Sequence, residues 1–137
     1  MSILRFVPVM ILPALAYGLV ALIFGGADPT WTQREAFSVT MASGEVWRMT
    51  LDTIFLTFAL LCFFAELLRT ALPTRASLWT NLLLACAIVP CLLLFILVKG
   101  FATDLFFLIC LMMLLDFLLD SAILVFTSRR TVEIDRG

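Results

Sequence analysis

Four long apolar runs divide the chain, at 6–24, 51–68, 78–98 and 101–126, and short polar stretches separate them. Each is close to the ~20 residues that a helix needs to cross the hydrocarbon core of a bilayer. With their flanking residues they predict spans at about 4–25, 50–70, 77–99 and 102–127, and leave 26–49 as the one sizeable loop. The fold class this predicts is an all-α polytopic membrane protein. Four transmembrane helices form an antiparallel bundle, as a single membrane domain over 1–137, with a small periplasmic β-hairpin between helices 1 and 2.

The ends of the runs carry the expected punctuation. Arg5 precedes the first, and Gly25-Gly26-Ala27 follow it, which together resemble a signal peptide. The apolar stretch exceeds a signal core, however, and is read as a retained span, kinked at Pro8 and Pro13. Arg48 and Arg69 flank the second run, and Pro73 then breaks the chain, with Thr74 and Ser77 available to cap the next helix. A kink is predicted at Pro90 in the third run, which Lys99-Gly100 closes. The fourth follows at once, so the two form a tight hairpin, with Thr103 or Gly100 capping the start of the second. Ser128-Arg129-Arg130 ends the fourth span, and a frayed polar tail is expected from Thr131 to Gly137.

Inside the loop the period changes. Phe37, Val39 and Met41 alternate with Ser38 and Thr40, Ser43-Gly44 interrupts, and alternation resumes from Val46 to Thr50. That reads as a β-hairpin. Two strands alone are marginal in water, so its apolar face, Phe37, Val39 and Met41 with Trp47 or Val46, is expected to lie on the end of the bundle.

Composition supports lipid as the solvent. Hydrophobic residues make up 64% of the chain and charged residues 14%, against ~45–50% and ~25% in soluble domains. A net charge of −1 provides no basic field for nucleic acid. The absence of histidine argues against a haem or pigment ligated by this chain, and no cofactor is expected. Cys62, Cys86, Cys91 and Cys110 all lie in apolar runs at spacings that match no zinc or redox motif, and read as reduced core fillers.

Positive charge sets the expected orientation. Both termini and the second loop share one side, which holds Arg5, Arg69, Arg75, Arg129, Arg130 and Arg136, while Arg34, Arg48 and Lys99 lie on the other. The bias places both termini in the cytoplasm. Trp31 and Trp47 outside and Trp79 inside are expected to form aromatic belts.

Ionisable groups within spans are where chemistry is first sought, because each costs ~2.5–3.5 kcal/mol at a helix centre on insertion scales. Arg48, Asp52, Lys99 and Asp104 fall at one level and are expected to form an outer interfacial ion cluster. Glu66, Arg69 and Asp120 are expected to close a charge network between the second and fourth helices. Asp116 lies one turn deeper, on the face of Ile109, Met113 and Asp120, with no evident cation in reach. Either it is a neutral acid bonded to a backbone or hydroxyl group of another helix, or it exchanges protons or binds a cation together with Glu66 and Asp120. On the second helix Asp52, Ala59 and Glu66 recur every seven residues with Phe55, Cys62 and Phe63 between, a packing seam expected to face the fourth helix.

Ser43-Gly44-Glu45-Val46-Trp47 and the span that follows, with Phe101-Ala102-Thr103 and Phe106-Phe107-Leu108 opening the fourth, resemble a family of short four-span bacterial inner-membrane proteins with no assigned activity. The resemblance implies a bacterial plasma membrane and the topology above. It carries over no functional residue.

Function is then expected to be non-enzymatic: an accessory or structural subunit of a larger inner-membrane complex, for example respiratory or photosynthetic, or a homo-oligomer. The partners are the bilayer and a membrane protein or a second copy. The alternative is a small proton- or cation-coupled transporter using Asp116, Asp120 and Glu66. A lipid-active enzyme would need Asp52, Asp104 and Glu45 to converge on a metal.

Overall fold

The computed structural model describes residues 7–24, 30–71 and 78–134. In chain order the elements are α1 (Ile11–Phe24), one 3-10 turn (Trp31–Gln33), β1 (Glu35–Thr40), β2 (Val46–Thr50), α2 (Leu51–Ala71), α3 (Leu78–Leu97) and α4 (Asp104–Ile134). The expected punctuation at Arg5, Gly25-Gly26-Ala27, Pro73, Thr74, Arg75, Ser77 and Arg136 lies outside the described residues.

Three helices, α2, α3 and α4, are long and apolar enough to cross a membrane. The first differs from expectation. Its helix has 14 residues and begins only at Ile11. Pro13 therefore sits in the first turn, where its missing N–H has no intrahelical partner to lose, and it starts the helix rather than kinking it. Residues 8–10 form a turn ahead of it, with the Ile11 and Leu12 N–H groups donating to the carbonyls of Pro8 and Val9 at 3.2 and 3.0 Å. The other end of the chain also departs from expectation. Ser128 and Thr127 turn their hydroxyls back onto carbonyls of their own helix, and α4 runs on to Ile134 instead of fraying from Thr131.

α3 continues through Pro90 to Leu97. Gly100, at φ +91°, then reverses the chain, a left-handed conformation that costs glycine least. Thr103 caps α4, its Oγ1 accepting the Phe106 N–H at 3.2 Å. α3 and α4 thus double back on each other. α1 and α3 run one way and α2 and α4 the other, as cross-helix contacts at both ends require: Val9 to Glu66 and Asn81 to Ser121 at one, Tyr17 to Phe55 and Thr103 at the other.

The core is a set of narrow stripes. Met10, Ala14, Tyr17 and Ala21 from α1 and its entry, Ala59, Cys62 and Glu66 from α2, and Ile109, Met113, Asp116 and Asp120 from α4 are all buried. Steps of three and four alternate along each, the 3.5-residue period of helices that wrap left-handed around one another. The expected seam on α2 is this stripe, and α2 packs against α4. The remaining faces are Leu, Ile, Val and Phe open to the surroundings.

β1 and β2 pair antiparallel in the expected hairpin. The Met41 carbonyl accepts the Gly44 N–H at 2.9 Å and the Met41 N–H donates to Glu45 at 2.8 Å, with Gly44 at φ +86°, a three-residue loop closed by a left-handed glycine. Val39 opposes Trp47 and Phe37 opposes Met49, with an irregularity beside Ala36. This face does not lie on the bundle as expected. Phe37 is 48% exposed and Trp47 43%, and their rings meet edge to face at 6.4 Å. The reason is connectivity: β2 passes straight into α2 with no residue between, and the Leu51 N–H donates to Arg34 at 3.0 Å. With no linker to fold over, the hairpin is tied directly to the start of α2.

Candidate functional site

Polar groups gather in two layers of the bundle. At the hairpin end Tyr17 is wholly buried and ringed by Trp31, Phe55, Phe101 and Phe106, with centroids 4.9–6.1 Å apart. Its hydroxyl lies 2.6 Å from the Thr103 hydroxyl and 3.3 Å from the Gly100 carbonyl. Because Thr103 Oγ1 already accepts the Phe106 N–H, a consistent chain has Thr103 donating to Tyr17 and Tyr17 donating to Gly100. Trp31, expected in an interfacial belt, is instead 1% exposed within this cluster, and its Nε1 has no acceptor among the described residues. Trp79 is 68% exposed.

The four residues expected to form an ion cluster near this end are engaged separately. Arg48 pairs across the hairpin with Glu35 at 3.7 Å. Asp52 folds over the first turn of α2, where it accepts the Thr53 N–H at 2.8 Å and the Thr50 hydroxyl. Lys99 and Asp104 make no ion pair among the described residues. Asp104 opens α4, where a carboxylate complements the helix dipole.

The second layer lies at the opposite end and is built from Glu66, Arg69 and Thr70 on α2 and Asp116 and Asp120 on α4. Glu66 is 2% exposed. One of its oxygens accepts the Val9 N–H at 2.6 Å, and the other lies 3.5 Å from Arg69 Nη1. Arg69 also donates to the Val7 carbonyl at 3.0 Å. The pair therefore satisfies backbone groups that the late start of α1 leaves without helical partners. Thr70 lies between helices, its hydroxyl 2.9 Å from the Glu66 carbonyl and 3.4 Å from the Asp120 carboxyl. One turn away, the Asn81 amide of α3 donates to Ser121 at 3.0 Å, leaving Asn81 Oδ1 buried with no partner among the described residues.

Asp116 stands apart within this layer. It is completely buried, and neither carboxyl oxygen has a hydrogen-bond partner among the described residues. The backbone or hydroxyl bond from another helix that one reading anticipated is not among its described contacts. Its charged neighbours are Glu66, Asp120 and Arg69. Among the described residues no three Cys, Asp or Glu side chains converge closely enough to hold a metal ion. An unpaired polar group in an apolar interior carries the full cost of its desolvation.

Sequence reasoning singled out Glu66, Arg69, Asp116 and Asp120 but not Tyr17, Thr70 or the Val7 and Val9 backbone. Tyr17 had a signal, as the one tyrosine of the chain set inside an apolar run. The backbone groups had none, because their exposure follows from where α1 begins.

Compared with family models, curated proteins and solved structures, the chain matches none.

Proposed function

We propose that the chain is a non-enzymatic integral membrane protein that works by association, as an accessory or structural subunit of a larger membrane complex or as a homo-oligomer. The observation that carries this reading is the hairpin. It presents Phe37, Val39, Met41 and Trp47 on one exposed apolar face, and both of its strands have an open edge. Monomeric proteins rarely leave such a face and such edges bare. In this reading the chain crosses the bilayer four times. α1 is completed by the irregular residues 7–10, which Glu66 and Arg69 hold inside the bundle. The excess of cations on the side of the termini favours the cytoplasm for both ends, and the resemblance to short bacterial four-span proteins favours the plasma membrane. Native mass spectrometry after extraction into lipid nanodiscs tests the proposal. The expected species contain a second membrane protein or further copies, and a chain always alone and monomeric would sink it.

Asp116 favours a second reading, a small proton- or cation-coupled transporter in which Asp116, Asp120 and Glu66 handle the coupling ion. Buried carboxylates in membrane helices commonly mark such pathways. Reconstituted vesicles should then carry a flux that Asp116→Asn abolishes while the fold stays intact. No flux in the parent protein would dismiss this reading.

A further inference from the structure

We infer that Asp116 is a proton-binding site that exchanges with the solvent at the end of the bundle opposite the hairpin, through Asp120 and Thr70. This shares a residue with the transport reading but needs no transport, since a site can bind and release a proton without carrying it across.

The first support is geometric. Asp116 is 0% exposed and both of its oxygens lack a partner among the described residues. Its carboxyl is therefore open to a ligand that the described side chains do not supply, and one small enough to reach a fully buried group. No three Cys, Asp or Glu side chains converge on it to cage a metal among the described residues, and a proton is the smallest ligand of the right charge.

The second support is the division of labour in the layer. Glu66 and Arg69 are held by each other and by the backbone of Val9 and Val7. Asp120, 6% exposed, lies one turn from Asp116 towards the end of the bundle and has the Thr70 hydroxyl beside it at 3.4 Å. The other titratable groups buried between the helices are a phenol and thiols, weaker acids than a carboxyl group. Tyr17 of α1 is bonded to Thr103 at the hairpin end. Cys91 of α3 and Cys110 of α4 neighbour each other, Cys62 is buried on α2, and Cys86 is exposed. Among the described residues Asp120 is thus the titratable neighbour of Asp116 not already held by the α1 entry. In the step itself an O–H bond of a hydronium ion breaks as one forms at Asp120, whose carboxyl the Thr70 hydroxyl orients, and that bond breaks in turn as an O–H bond forms at the Asp116 carboxylate. The reverse transfer releases the proton, with no oxidant or other co-reactant.

Infrared spectroscopy of the full chain in lipid nanodiscs tests this. Asp116→Asn should remove one carboxylic C=O band, and Asp116→Glu, which keeps the acid and guards against misfolding of the amide, should move that band. In the parent protein the band should weaken as pH rises and shift in heavy water, and Thr70→Val should slow that shift. A band that ignores both pH and heavy water identifies a sealed neutral acid and overturns the proposal. So does a band lost at constant pH when sodium replaces choline, which would assign the site to a cation. An unchanged exchange rate in Thr70→Val overturns the route. Failure to find flux bears on the transport reading alone, because none of these measurements requires it.

Discussion

The hydroxyls of Tyr17 and Thr103, 86 residues apart in sequence, lie 2.6 Å from each other and tie α1 to the turn that joins α3 to α4. Thr103 is also the cap of α4, so one side chain ends a helix and receives another. Tyr17→Phe keeps the ring cluster and loses the hydroxyl, leaving the Gly100 carbonyl without this donor. The expected loss is about 1–3 kcal/mol, read as a lower unfolding midpoint in detergent. Tyr17→Ala should cost about 3–5 kcal/mol, because it empties the centre of the aromatic cluster as well.

At the other end Glu66→Ala should expose the entry of α1. The Val9 N–H loses its acceptor and Arg69 loses its pair, so hydrogen exchange at Val9 should accelerate while amides in the middle of α4 stay protected. Glu66→Gln retains a carbonyl acceptor for Val9 and should protect that amide better than alanine does. Equal exchange in the two variants would show that the hydrogen bond to Val9 does not hold the segment.

The bond from Asn81 to Ser121 joins α3 and α4 near the same layer. A double-mutant cycle with Asn81→Ala and Ser121→Ala should return a coupling of roughly 0.6 kcal/mol, the usual strength of a hydrogen bond between membrane helices. The modest size follows from competition: in the unfolded state within lipid both groups find other partners.

Replacing Phe37 and Trp47 together by serine should leave thermal stability nearly unchanged, since both rings are already largely exposed. It should reduce co-purification or self-association if the hairpin is the docking element. A drop in stability with association intact would assign the pair to folding instead.

The sequence disclosed these elements unevenly. Apolar runs marked α2, α3 and the start of α4 to within a few residues, because membrane-length helices announce themselves by composition, while the polar end of α4 ran past its apolar run. Alternation at 37–41 and 46–50 marked the strands, and a glycine marked their turn. Where α1 starts was hidden, since Phe6 to Met10 is as apolar as the helix that follows and only tertiary hydrogen bonds distinguish them. The same cause misplaced Trp31: a tryptophan suits an interface or a core equally well, and its neighbours Tyr17 and Phe55 come from two distant segments. For the carboxylates, depth could be read by counting residues along each helix. Partners could not, because Glu66 engages main-chain atoms and Thr70 carries no charge to attract notice.

The junction at Thr50 and Leu51 has a mechanical meaning. β2 ends at Thr50 and α2 begins at Leu51, so no loop separates the hairpin from the helix. Turning α2 by the angle of a single residue, ~100°, would swing Glu66 away from Val9 and carry Ala59 and Cys62 out of the core. Trp47 at one end and Glu66, which holds Val9, at the other therefore lie on two elements joined without a linker, the second 21 residues long.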